Sequence, residues 1–196
     1  MNRLKGIVLG VAFMALPAIA SAQTTIKFDT GLGDLAQIPN GYAGFNWSNF
    51  WALNGLTYYG NPSGYQTGVV SPSFIAYNGY AEQASVSSMS TNPFTFNSVY
   101  ATAAWNTENV TFNGWLGGNL LYTDTFGILT SGPVFHTFNW GLVDRVDMVS
   151  DGGSQVAIDN LTVNGATVTP EPATLLLLAT GLTGIGALMR RRQKNS

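Results

Sequence analysis

Val110-Thr111-Phe112-Asn113-Gly114-Trp115-Leu116-Gly117-Gly118-Asn119-Leu120-Leu121-Tyr122-Thr123-Asp124-Thr125-Phe126 sets the fold class of this chain. Val110, Phe112 and Leu116 share one parity, while Thr111, Asn113 and Trp115 take the other. A period of two belongs to a strand with one buried face, whereas a helix repeats every 3.6 residues. Gly118-Asn119 has the chemistry of a tight turn. The stretch therefore reads as a hairpin, with strands over 110–116 and 120–126.

The same period extends outward in both directions. Upstream, residues 94–105 form the longest strand expected. Phe94 and Phe96 hold one parity and Val99, Ala101, Ala103 and Trp105 the other, so a β-bulge is expected near Asn97-Ser98. Further strands are expected over 24–28, 84–88, 134–140, 142–149 and 155–163, with short extended pieces at 69–70 and 74–77 interrupted by Pro72. Residues 42–52 are dense in aromatics, and 54–68 reads as a long loop carrying Tyr58, Tyr59 and Tyr65. Asn92-Pro93 and Asp151-Gly152-Gly153 read as turns. Nine or ten short strands without an amphipathic helix predict an all-β fold, a β-sandwich of jelly-roll type.

Composition narrows the function of this body. Over residues 23–169 only Lys27 and Arg145 are basic, against nine acids: Asp29, Asp34, Glu82, Glu108, Asp124, Asp144, Asp147, Asp151 and Asp159. The net charge of −7 excludes nucleic acid as a partner, because phosphate neutralisation needs clustered Lys and Arg. Cysteine is absent, so disulfides, thiol catalysis and cysteine-bound zinc are excluded as well. The aromatics spread through the body are enough to fill a core, unlike a disordered linker.

The two ends read as addresses. Residues 1–22 carry Arg3 and Lys5, an apolar run over 7–16, then Ala20-Ser21-Ala22, the small-residue pattern cut by signal peptidase. Cleavage is expected after Ala22. At the other end Pro170-Glu171-Pro172 precedes an uncharged apolar run over 173–189 and the basic stop Arg190, Arg191, Arg192 within 190–196. That run is just long enough to cross a bilayer as a single transmembrane helix, with its basic end cytoplasmic. The domain plan expected is thus 1–22 signal peptide, 23–169 exported domain and 170–196 sorting segment.

Pro170-Glu171-Pro172, the short helix and the arginine-rich end together resemble the PEP-CTERM sorting signal of Gram-negative bacteria that make exopolysaccharide. The resemblance covers only the C-terminal tail. It implies an exosortase-type membrane protease as processing partner and passage from the inner membrane to the cell surface or extracellular matrix, as in a biofilm. It also makes N-glycosylation at the sequons of Asn46, Asn109 and Asn160 an unsuitable reading.

For the body, three chemistries are weighed. Trp47, Trp51, Tyr58, Tyr59 and Trp115 are candidate platforms for stacking on exopolysaccharide, since aromatic faces pair with sugar C–H groups. Asp29, closing the first strand, and Asp159, at a parity flip in the last, are candidate calcium ligands if those strands are neighbours. Glu82 and Glu108 are the carboxylates available to a glycan-active enzyme, the alternative to a non-catalytic structural or polysaccharide-binding domain. A permanently anchored envelope protein is the further alternative. His136 shares parity with Val134, Phe138 and Trp140 and is placed at the rim of an apolar face, outside any Gly-x-Ser-x-Gly elbow.

Overall fold

The alternating segments become strands in two antiparallel sheets facing one another. The computed structural model describes residues 23–90 and 92–164. The signal segment, Pro170-Glu171-Pro172, the 173–189 run and the basic tail lie outside the described residues. In chain order the strands are β1 (Thr24–Ile26), β2 (Ala36–Gln37), β3 (Phe45–Ser48), β4 (Phe50–Asn54), β5 (Phe74–Asn78), β6 (Ala84–Ser88) and β7 (Phe94–Ala103). They continue as β8 (Glu108–Leu116), β9 (Asn119–Ile128), β10 (Val134–Thr137), β11 (Leu142–Val143), β12 (Arg145–Ser150) and β13 (Val156–Val163). A single helical turn, α1 (Gly64–Thr67), sits in the long loop, and 3₁₀ turns occupy Tyr42–Gly44 and Gly79–Ala81.

The larger sheet runs β10-β7-β13-β5-β4-β2, with β1 also on β13 and β11 also on β7. The smaller runs β3-β6-β12-β8-β9. First and last strands are neighbours as expected, Ile26 opposite Leu161. Among the described residues no helix is long and apolar enough to cross a membrane.

Aromatic side chains from both sheets meet between them. Phe96 of β7 packs on Phe112 of β8 at 5.8 Å between ring centroids, and Phe45 of β3 meets Phe94 of β7 at 4.9 Å, edge to face. Phe138 and Trp140, just past β10, complete this cluster against Phe96 at 4.7 and 5.5 Å. Such pairs contribute about 0.5–1.5 kcal/mol each beyond the burial of area.

The bulge expected near Asn97-Ser98 is present, with a compensating one opposite it. Between β13 and β7, Asp159 faces Tyr100 and Thr162 faces Ser98, so β13 has one extra residue. Val163 then faces Phe96, so β7 has one extra in turn. Asn160, within the β13 bulge, takes the left-handed φ of 48° that asparagine tolerates better than most residues.

The aromatic-dense 42–52 stretch and the expected 142–149 strand each divide between the sheets. The 42–52 stretch breaks at Asn49 (φ 55°), leaving β3 in the smaller sheet and β4 in the larger. The 142–149 stretch breaks at Asp144, with β11 on β7 and β12 on β6 and β8. Inward residues change parity at both crossings, from Phe45 and Trp47 to Phe50 and Ala52, and from Val143 to Val146 and Met148. A chain that passes from one sheet to the facing one must reverse which parity points inward, so the flip marks the crossing.

The hairpin of β8 and β9 turns on Gly117-Gly118, one residue earlier than expected. Leu116 faces Asn119, and the two glycines have φ of 58° and 79°, as a type I′ turn requires. Asp144 Oδ2 accepts the Gly117 N–H at 2.6 Å and ties the turn to the β11–β12 crossing. An added Cβ at Gly118 would meet nothing within 4 Å, so Gly118→Ala isolates the backbone cost. It should destabilise the domain by about 1 kcal/mol in urea unfolding.

Candidate functional site

The outer face of the larger sheet carries a row of half-buried and exposed aromatic side chains. Trp51 of β4 lies opposite Tyr77 of β5, which lies opposite Ala157 of β13, itself opposite Thr102 of β7. Directly opposed residues in antiparallel strands share a face. The inward-facing row next to it is Ala52, Ala76, Ile158 and Ala101, all within the sandwich core. Trp51 and Tyr77 therefore point away from the core. The outward parity of Tyr77, in step with Ile75 and against Ala76, is the sequence signal that the short 74–77 segment carried.

Part of this outer face is closed by the 55–68 loop. Tyr65, from α1, packs with Leu53, Ile75, Ala104 and Ala157 in a second apolar cluster and is 2% exposed. Tyr58 meets Tyr65 at 5.2 Å between centroids and Trp105 at 6.3 Å, while Tyr65 meets Trp105 at 5.6 Å. Tyr59 stands on Tyr58 at 4.7 Å and is 85% exposed. Burial drives the Tyr65 hydroxyl far above its ordinary value. Burial first, then Tyr58, Tyr80 and Asp34, pushes Tyr77 up to about 12, so both remain neutral hydroxyls.

Beyond the loop the sheet face stays open. Tyr80 stands edge to face with Trp51 at 6.3 Å and is 78% exposed. Its φ of 58° is unusual for a tyrosine, a strained backbone held by the Gly79–Ala81 turn, in which Glu82 N–H donates to the Gly79 carbonyl. Trp51, Tyr77, Gly79, Tyr80 and Gln155 line a hollow of about 140 Å³. Gln155 Oε1 accepts from Trp105 Nε1 at 3.1 Å, so one amide joins this hollow to the Tyr58–Trp105 cluster. The result is a band of six aromatic rings interrupted by one amide.

Of the stacking candidates, Trp51, Tyr58 and Tyr59 belong to this band. Trp47 does not, and its reading is corrected: it is 4% exposed, wedged between Phe28 and Phe50, with Nε1 donating to the Tyr42 carbonyl at 2.9 Å. Its parity matched Phe45 and faced the core. Trp115 lies on the other sheet, where the Arg145 guanidinium covers its ring at 4.7 Å from the centroid and its Nε1 is buried. The face that Arg145 covers is closed to a sugar, and the ring lies on the sheet away from the band. Trp105, Tyr77, Tyr80 and Gln155 were not singled out from sequence. Trp105 in particular was counted on the inner parity of its strand, but β7 ends at Ala103 and the ring turns outward, 43% exposed.

Asp29 and Asp159 do converge, on the segment between α1 and β5, but as staples of the chain. Asp159 is wholly buried; Oδ2 accepts the N–H groups of Val70 and Ser71 at 2.8 Å each, and Oδ1 accepts Asn160 N–H at 2.7 Å and Ser71 Oγ–H at 3.2 Å. Asp29 Oδ1 accepts Phe74 N–H at 3.1 Å. Lone pairs already facing N–H donors are not available to calcium, which needs them turned toward a common centre. The calcium reading is corrected on that ground. Among the described residues, no group of three or more His, Asp or Glu is arranged to hold a metal ion.

The carboxylates weighed for catalysis are placed differently. Glu108 is buried beneath the 151–154 turn, with Oε2 accepting Gly152 N–H at 3.1 Å. Burial raises its carboxyl, against the lowering effect of the Ser154 and Gly152 N–H groups. Glu82 is exposed two residues after Tyr80. His136 lies at the rim of the core as expected. Its ring stacks on Phe126 at 3.9 Å, and Nε2 meets Asp124 Oδ2 at 2.9 Å, clasping the sheet edges β10 and β9.

Comparison with known proteins bears on both parts of the chain. No curated protein sequence matches it. A DUF4465 family protein from Bacteroides caccae superposes with a TM-score of 0.56 at 10% identity, over 73% of this chain and 99% of that one. A family 29 carbohydrate-binding module, CBM29-2, gives 0.42 at 18% identity over 74% and 94%. The K2 cleaved adhesin domain of Lys-gingipain gives 0.44 at 10% over 72% and 99%. At such identities the likeness is one of fold, and it rests on the first of the three. Residues 168–192, by contrast, match a family directly. Behind its two-sheet β-sandwich, the chain carries a PEP-CTERM protein-sorting motif.

Proposed function

We propose that this is an exported surface or matrix protein whose β-sandwich binds polysaccharide through the aromatic band on its larger sheet. The observation that carries the reading is the band itself: Tyr59, Tyr80 and Trp105 exposed, with Trp51, Tyr58 and Tyr77 half-buried beside them on one face. Trp51 and Tyr77 are fixed on strands and the other rings are packed against one another, so the band loses little entropy on stacking against sugar, and a nearby amide supplies directional hydrogen bonds. The sandwich is read as jelly-roll in type, in keeping with the pairing of its first and last strands. Glu108 beneath its turn and Glu82 in the open do not resemble a catalytic pair, so the domain is read as binding and not cleaving.

The PEP-CTERM motif implies export and membrane-associated processing toward the cell surface. The fuller plan proposed is removal of 1–22 by signal peptidase, display of 23–169, and exosortase-type cleavage near Pro170-Glu171-Pro172 with release from the helix at 173–189. Arg190, Arg191 and Arg192 would hold the tail's end in the cytoplasm until then.

Intact mass of the mature protein, with membrane and medium fractionated, tests the route. The expected species lacks Met1–Ala22 and everything beyond the motif, and is found outside the membrane. A species retaining 173–196 and confined to membranes would replace release by permanent anchoring. Release of reducing ends from a polysaccharide incubated with the protein would overturn the non-catalytic reading.

A further inference from the structure

We infer that the aromatic band selects uncharged polysaccharide and rejects uronate or sulfated polymers, an inference that rests on the glycan-binding reading above. Its basis is where the charges of this domain lie. Among the described residues Lys27 and Arg145 are the only lysine and arginine. Lys27 follows β1 and lines a different hollow, with Asp29 and Tyr42, from the one lined by Trp51, Tyr77 and Tyr80. Arg145 lies on the smaller sheet, spent on Asp147 at 3.0 Å and on the Trp115 ring. Neither side chain lines the hollow of the band.

The charges that do border it are negative. Asp34 lies close enough to contribute to the raised Tyr77 value, and its Oδ1 accepts Asn54 N–H at 2.8 Å at the end of β4. Glu82 is exposed on the turn that presents Tyr80. A carboxylate or sulfate on every sugar would meet these acids within a screening length of about 10 Å at 0.1 M salt, inside a domain of net charge −7. Recognition of such groups ordinarily uses arginine forks or lysine clusters, and here there are none.

What the band does offer suits a neutral chain. The rings of Trp51, Tyr59, Tyr80 and Trp105 stack on the C–H faces of successive sugars. The neutral hydroxyl of Tyr77 and the Gln155 amide, whose oxygen is occupied by Trp105 Nε1, provide hydrogen bonds to sugar hydroxyls. None of these contacts depends on ionic strength.

The test is affinity electrophoresis of the full chain, in mild detergent and in buffer free of divalent cations. It is run through gels containing mixed-linkage β-glucan, galactomannan or dextran, and through alginate and polygalacturonate at equal mass. Retardation is expected by at least one uncharged polymer, unchanged on adding salt and weakened about tenfold or more in Trp51→Ala and in Tyr80→Ala. Tyr80 is 78% exposed, so Tyr80→Ala should keep the wild-type melting temperature, whereas Trp51 is half-buried and Trp51→Ala should lower it by a few degrees; both are measured alongside, so that binding is compared on folded protein. Retardation by the uronates that these variants abolish would overturn the charge inference and leave the glycan-binding reading standing. Retardation by no polymer would overturn both, and binding indifferent to the two substitutions would remove the band as its site.

Discussion

Gly64→Ala should unseat the 55–68 loop, lower stability by about 3 kcal/mol and abolish polysaccharide retention. Gly64 opens α1 where the loop backbone touches β7, with its N–H donating to the Ala104 carbonyl at 2.8 Å. A Cβ built at this position would overlap the carbonyl oxygen of Ala103 and crowd Ala104 Cα, which are backbone atoms inside the sheet and cannot swing aside as a side chain would. The helical turn must therefore lift. Tyr65 goes with it, and Tyr65 is what fills the apolar cluster of Leu53, Ile75, Ala104 and Ala157. Full burial of a side chain of that size is worth about 2–3 kcal/mol.

The binding loss follows from the same geometry, because Tyr58 and Trp105 rest on the Tyr65 ring. Urea unfolding measures the first effect; near-ultraviolet circular dichroism reports whether the tyrosine and tryptophan environments have changed. Gln66→Ala, an exposed site on the same turn, should leave both at wild-type values. A Gly64→Ala protein as stable as wild type, with an unaltered aromatic spectrum, would mean the loop is not seated by this contact.

Asp159 should make the domain more stable in mild acid than at neutral pH. Burial pushes its carboxyl from an ordinary 3.8 up to about 6, in spite of the N–H groups of Ser71, Val70 and Asn160 that favour the charged form. The folded state then holds a proton that the unfolded chain has already released. The stabilisation is complete below about pH 4 and is lost as pH rises through about 6, amounting to about 3 kcal/mol across that window. Glu108, also raised by burial, acts in the same direction. Asp151, lowered by the Asn109 side chain and N–H, acts oppositely and only at more acid pH.

Asp159→Ala removes the titration and also strands the buried donors that the carboxyl gathers. It should cost about 3 kcal/mol or more near pH 4.5, and the gap to wild type should narrow by pH 7.5. Melting temperatures across pH 4 to 8 for the two proteins give the comparison directly. A gap that stays constant, or widens as pH rises, would mean Asp159 is charged in the folded protein throughout.

The sequence by itself determined the strand rhythm, the glycine hairpin and the bulge at Asn97. Each of these follows from period, parity or turn chemistry, which are properties of neighbouring residues. The PEP-CTERM motif was legible for the same reason: it is a linear pattern read by another protein. Parity flips at Asn49 and Asp144 were also present in the sequence, but a flip within one strand and a crossing between two sheets look alike until the partner strands are known. Only the tertiary structure decided which aromatics face solvent. Trp47 and Trp51 stand four residues apart in one aromatic run, yet one fills the core and the other opens the band, because the crossing at Asn49 reverses the inward parity between them. Likewise Asp159 has the chemistry of a metal ligand in sequence, and only the loop that folds over it, bringing the N–H groups of Val70 and Ser71 from far along the chain, makes it a staple.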